Sequence, residues 1–376
     1  MPLLDELFRK MIEVGASDLH MTCGAKPLVR ESGDMKVLEG QTEVLTVEKM
    51  SQYMVEIAPK QNWAEFQKDG DSDFAYEISG LARFRANFFL DRTGPGAVFR
   101  VIPTEILTAE QLNLPPVVME FCQLTKGLVV VTGPTGSGKS TTLAAMVDHI
   151  NKERSEHIIT IEDPIEFVHP NKKCLVNQRE VRRHTQGFKR ALRAALREDP
   201  DIVLIGEMRD LETVEIALET AETGHLVFGT LHTTTAASTV DRIIEQFPSH
   251  QQAQIRAMLG GSLKGVVAQT LCKKIPKGRV AAIEILVGTP AISNYIREGK
   301  THQIASAMQV GSKQGMRLLN DALAELVQKK IVDPNEAYLK SIDKTDIIAK
   351  IEKIGMKVTI AGGNNQPKPQ PAAAPR

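Results

Sequence analysis

Gly127-Leu128-Val129-Val130-Val131-Thr132-Gly133-Pro134-Thr135-Gly136-Ser137-Gly138-Lys139-Ser140-Thr141 is the stretch that decides the fold. Leu128–Val131 is an unbroken aliphatic run, which predicts a strand buried on both faces. Residues 140–151 predict a helix. Between them Gly133–Ser140 fits GxxxxGK[ST], in the strand-loop-helix context that a phosphate-binding loop needs. Its glycines let backbone amides turn inward around phosphate oxygens, and the start of the helix adds attraction for negative charge. Lys139 has the reach to meet a β- and a γ-phosphate, and the Ser140 hydroxyl suits a magnesium ion. Gly133, Pro134, Thr135, Gly136, Ser137, Gly138, Lys139 and Ser140 are therefore the expected phosphate contacts, with ATP and Mg2+ as the expected ligands.

Downstream, strands alternate with helices: strand 158–161, helix 187–197, strand 202–205, helix 211–223, strand 226–231. Such alternation predicts crossover units on a mostly parallel sheet. Two acidic clusters fall at the carboxyl ends of these strands, where ligands bind in open α/β sheets. Glu162-Asp163 follows the first and Glu207 follows the second. Phosphoanhydride hydrolysis needs a group that orients water, and Glu162 and Glu207 are the candidates. Gly206 stands where an aspartate more commonly follows such a strand, so no carboxylate at that position can hold the magnesium ion. His225 and His232 flank the strand 226–231, and their spacing of seven does not suit a metal site.

Upstream the pattern is mixed. A helix is predicted over 3–14, short alternating stretches follow at 18–22 and 83–88, and residues 47–67 read as helical. This describes a smaller α+β domain over 1–103, joined by a linker over 104–126 with short helices to a nucleotide-binding domain over 127–360. Gly, Asn, Gln, Pro and Ala dominate 361–376, the composition of a disordered tail.

Across 376 residues, 46 Lys and Arg balance 46 Asp and Glu. That balance argues against bulk charge-driven binding to nucleic acid or to an anionic membrane, and leaves room for a local basic patch. Charges at Asp5, Glu6, Arg9 and Lys10 interrupt the apolar start, unlike a signal peptide. No apolar run is long enough to span a bilayer, so a cytoplasmic location is expected. Cys23, Cys122, Cys174 and Cys272 are far apart and form no CxxC pair, so they read as small buried residues.

Five segments in order resemble the secretion ATPases: Ala16–His20 (ASDLH), the phosphate loop GPTGSGKSTT, the Asp box Thr160–Glu166 (TIEDPIE), the Walker B segment Ile205–Asp210 (IGEMRD), and the His box Thr223–Thr233. The resemblance spans about residues 1–355. It implies a PAS-like N-terminal domain and a RecA-like ATPase domain, assembled as a homo-hexamer. Such a ring would act at the cytoplasmic face of the inner membrane through a platform protein of a pilus machine, with peripheral membrane association through partners and no direct contact with nucleic acid. Carried over by position, Glu162 resembles the water activator, Glu207 the glutamate near magnesium, and His232 a γ-phosphate sensor. Thr141 and His225 join the nucleotide contacts. The family also sets arginines of the N-terminal domain against the γ-phosphate. Arg85 and Arg100 match best, with Arg83 and Arg92 as near rivals. Within the family, Ala291–Glu298 resembles the AIRNLIRE marker of PilT-type pilus retraction ATPases, with Ser293 and Tyr295 departing from it. Gly206–Asp210 has the PilT-type form as well. Another departure is Arg182-Arg183-His184, where the family usually shows a glycine and an acidic residue before Thr185.

Overall fold

The computed structural model describes residues 2–31, 34–40, 42–102 and 105–359. The expected domain end at Pro103 and the tail at 361–376 lie outside the described residues. The strands form two sheets. By its contacts the chain divides into two compact units, one holding residues 1–111 and 140–229, the other 112–139 with 230 onward.

The first unit begins with an antiparallel sheet of six strands: β1 (Asp18–Thr22), β2 (Leu28–Glu31), β3 (Asp34–Val37), β4 (Asp71–Ile78), β5 (Ala82–Asp91) and β6 (Gly94–Ile102). Their spatial order is β3-β2-β1-β6-β5-β4. Alternation along β5 and β6 turns Phe84, Ala86, Phe88 and Phe99 to one face, where they are fully buried. Helices Leu4–Glu13, Val47–Ile57 and Lys60–Asp69 supply Phe8, Met50, Met54 and Phe66 to the same core. The Phe8 ring lies 4.2 Å from Phe84 and meets Phe99 edge-on at 5.0 Å. Truncating a buried aromatic of this kind typically costs about 3–5 kcal/mol. The opposite face carries polar side chains, among them Asp18, Arg83, Arg85 and Arg100.

The rest of this unit holds four parallel strands of the second sheet. They are β8 (His157–Glu162), β9 (Leu175–Glu180), β10 (Ile202–Ile205) and β11 (Leu226–Leu231), numbered after β7 (Gly127–Thr132) of the other unit. β10 lies between β11 and β8, and β9 pairs with the other side of β8. Every residue of β10 and β11 is buried, as expected for parallel strands covered on both faces. Helix Phe188–Ala195 buries Ala191, Leu192 and Ala195, and helix Leu211–Glu222 is capped by Asp210, whose side chain accepts from the Thr213 amide at 2.9 Å.

In the second unit β7 pairs in parallel with β12 (Leu263–Lys273), which pairs antiparallel with β13 (Arg279–Val287). Helices Leu319–Gln328, Pro334–Lys340 and Lys344–Lys353 pack with Cys272 and Ala282 of these strands. The four cysteines are buried and free, as their spacing implied. No group of metal-binding residues occurs among the described residues, and none of their helices is long and apolar enough to cross a membrane.

Candidate nucleotide site

The phosphate loop leaves β7 at Thr132, whose hydroxyl donates to the Thr233 carbonyl at 2.6 Å. Gly133, Gly136 and Gly138 have φ of 148°, 76° and 90°, which L side chains rarely adopt. A Cβ on Gly133 would lie 2.2 Å from the Gln269 carbonyl, so glycine is also demanded by space. The Gln269 amide donates to the Ser137 carbonyl at 2.7 Å and clamps the loop from β12. The Ser137 hydroxyl is buried without a hydrogen-bond partner. Lys139 folds its ammonium back onto the carbonyls of Gly133, at 2.8 Å, and Pro134. Pro134, Thr135 and Gly136 are exposed, and helix Lys139–Glu153 starts at the loop's end, carrying Ser140 and Thr141 in its first turn. The loop is thus a glycine cradle with a cation, an unsatisfied hydroxyl and a helix start, a donor set suited to phosphate oxygens.

The acidic residues lie in the first unit. Parallel register places Ile161 beside Ile205, so Glu162 and Glu207 leave the sheet at the same end. Glu162 accepts from the Thr160 hydroxyl at 2.6 Å and from the Gln178 amide at 3.1 Å. Burial pushes its carboxyl up to about 7, against the lowering effect of those two hydrogen bonds. A carboxyl poised near neutral pH is what a general base requires. Glu207 pairs with the Arg209 guanidinium. A Cβ on Gly206 would stand 3.1 Å from both the Glu162 Cα and the Ile161 carbonyl. Close backbone approach therefore accounts for glycine in place of an aspartate.

Arg85 and Arg100 are cross-strand partners on β5 and β6. Arg85 pairs with Asp73 at 3.0 Å, and Arg100 with Asp18 at 2.8 Å. Burial raises the carboxyl of Asp18, but the Ser17 hydroxyl and Arg100 outweigh it and hold the group below its ordinary value. Arg85 also feels the charges of Glu166 and Asp163. Burial holds the Asp163 carboxyl above its ordinary value, against the lowering pull of Arg182, Arg85 and Arg209. Three arginines thus act on the charge of Asp163, and Arg182 was not among the expected site residues. It takes φ 68°, the left-handed region that favours glycine, in the segment where the family usually shows one. Of the rivals to Arg85 and Arg100, Arg83 is engaged elsewhere, in a buried pair with Glu180, and Arg92 lies exposed in the turn between β5 and β6.

The two histidines part company. His232 directly follows the carboxyl end of β11 and is exposed. His225 precedes the amino end, roughly 20 Å away at the usual rise per strand residue. Its imidazole lies 3.1 Å from the Thr220 carbonyl. A strand's length thus separates His225 from the end where the acidic residues emerge.

The helix resembling the retraction marker is Pro290–Arg297. Thr289 caps it, accepting from the Ile292 amide, and Gly299 follows with φ 69°. Ile292 and Ile296 are buried; Asn294, Arg297 and Glu298 are exposed.

With this geometry the chain belongs to the Type II/IV secretion system protein family, whose model matches residues 1–339. Among individual relatives, it is 51% identical over 338 residues to the type IV pilus retraction ATPase PilT of Pseudomonas aeruginosa, an alignment covering 90% of this chain and 98% of that one. It is 47% identical to a twitching motility protein of Neisseria gonorrhoeae, covering 83% of each, and 37% identical to the type IV pilus ATPase PilU of P. aeruginosa, covering 91% and 90%. Among solved structures, the pilus retraction motor PilT with bound ADP superimposes with a TM-score of 0.85 at 46% identity, covering 92% of this chain and 98% of that one. The mixed α/β fold is that of the RecA-like secretion ATPases with an N-terminal domain.

Proposed function

We propose that this chain is an ATPase motor that hydrolyses ATP to drive retraction of type IV pili. The observation that carries the reading is 51% identity across nearly the whole of a relative named as a retraction ATPase. The lower identity to PilU, 37%, favours the main retraction motor over an accessory paralogue. In this reading residues 1–103 are the N-terminal domain, 104–126 the linker and 127–360 the motor domain.

Each motif is read for its own part in ATP binding and turnover. Backbone amides of residues 133–138 hold the phosphates, and Lys139 neutralises them. Oxygen donors suit magnesium, so Ser140 and Glu207 would hold the ion, which when bound would offset phosphate charge. Glu162 takes the proton of the attacking water, His232 senses the γ-phosphate, and Arg85 and Arg100 meet the charge that develops on the transferring group. In this reading the site is completed only as subunits assemble, which ties turnover to the ring. The working form is a homo-hexamer at the cytoplasmic face of the inner membrane, acting on a platform protein of the pilus machine. The exposed Asn294, Arg297 and Glu298 are the coupling surface.

Phosphate release by the purified protein tests the enzyme assignment. Lys139→Ala is expected to lose ATP binding and turnover, while Lys126→Ala, an exposed lysine before β7, stays near wild type. Wild-type turnover in Lys139→Ala refutes the site.

A further inference from the structure

One ion pair of the first unit is built differently from the rest. Arg83 of β5 and Glu180 of β9 meet at 2.7 Å, with side chains only 10% and 5% exposed. The same Glu180 Oε2 accepts the Ile165 amide at 3.2 Å, inside the Asp box. Glu180 is also the register partner of Glu162, and the Val181 amide donates to the Glu162 carbonyl at 2.8 Å. The Arg83 Nε is buried without a hydrogen-bond partner, while its Nη2 donates to Glu180. Buried pairs add little net stability, because desolvation offsets attraction, and their best-attested use is to fix geometry.

What this pair fixes is the reach of Arg85. Residues 83 and 85 lie two apart on one strand, so their side chains leave the same face, about 7 Å apart. Tying residue 83 to the end of β9 holds residue 85 beside the loop that begins at Glu162. The influence of Asp163 and Glu166 on Arg85 agrees with that placement.

We infer that Arg83 and Glu180 are positioning residues, a buried latch that ties the N-terminal sheet to the Asp box and so sets Arg85 for its work on the phosphoryl group. The inference rests on the role proposed above for Arg85. A structural pair would lower stability in any background; a positioning pair loses its effect on rate once Arg85 is gone.

A double-mutant cycle on the assembled full-length protein separates these outcomes, with kcat and KM for ATP as readouts. Arg83→Ala is expected to lower kcat by at least about tenfold with KM changed less than about threefold, the mark of an interaction lost only in the transition state. In an Arg85→Ala background the same change is expected to lower kcat less than about twofold. Should Arg83→Ala fail to fold, Glu180→Gln enters the cycle instead, since its amide oxygen still accepts from Ile165 while the ion pair is gone. Costs that multiply in the double variant, or an Arg83→Ala enzyme of normal kcat, overturn the latch and leave the role of Arg85 standing. Normal turnover in Arg85→Ala overturns both.

Discussion

Arg85 and Arg100 face each other directly across β5 and β6, and each is held by a different aspartate, Asp73 and Asp18. Paired positions on an antiparallel sheet put both guanidinium groups on one face, opposite the aromatic core. Two cations side by side repel, and the flanking carboxylates offset that cost until an anion arrives. For Arg85→Ala and for Arg100→Ala we expect ATP binding to persist while turnover falls by up to about a thousandfold, the scale of losing an arginine at a transferring phosphoryl group. Activity per subunit of the wild type should rise with protein concentration as rings assemble. Steady-state turnover across a dilution series checks both, and near-normal rates in the two variants contradict the assignment.

Glu162 links catalysis to stability. Its carboxyl is raised to about 7 by burial, from an ordinary 4.5. A raised carboxyl favours the folded state fully below pH 4.5, and that contribution is lost as pH climbs through about 7. Glu162→Gln removes the cost of ionisation, so its Tm without nucleotide should exceed that of the wild type at pH 8 and nearly match it at pH 5. The same variant should lose at least about a hundredfold in turnover. Thermal melts at the two pH values provide the check; a variant less stable than wild type at pH 8 argues against the raised carboxyl.

Gly206 is set by space. An aspartate introduced there would press its Cβ on the backbone of Ile161 and Glu162, atoms that cannot rotate away. Gly206→Asp is therefore expected to destabilise the protein by about 1–3 kcal/mol, the usual cost of overpacking. It should also slow turnover by displacing Glu162. Denaturant unfolding and a phosphate-release assay measure the two effects, and an unchanged midpoint removes the steric account.

On the exposed face of helix Pro290–Arg297 the Arg297 guanidinium donates to the side-chain amide oxygen of Asn294 at 3.1 Å. Asn294→Ala with Arg297→Ala should leave folding and ATP turnover intact, since exposed polar pairs contribute under about 1 kcal/mol. Twitching should be lost. Normal twitching in the double variant removes this surface from the coupling path.

Much of the site could be read from the sequence, because its signals are local. The glycine pattern of the phosphate loop, the aliphatic runs of β8, β10 and β11, and the acids that follow β8 and β10 each occupy a few consecutive residues. The strands 202–205 and 226–231 carry the same bounds in sequence and structure. β12 was missed, although it is 11 residues long, because glycine, lysine and glutamine interrupt its apolar run. β9 was missed for a related reason: four of its six residues, Asn177, Gln178, Arg179 and Glu180, are polar, and Leu175 is exposed. The Arg83–Glu180 pair joins residues 97 positions apart, a relation that neither periodicity nor spacing in one chain can encode.

Central to the account is that ATP hydrolysis by this chain pulls pili back. The most direct measurement is pilus number, pilus length and twitching in a strain lacking the gene, complemented by the wild type or by Glu207→Gln. Abundant, long, non-retracting pili and no twitching are expected in the deletion strain, restored by the wild type and left unrestored by Glu207→Gln. A deletion strain without pili would identify an assembly motor instead, and one with normal twitching would contradict the proposed function outright.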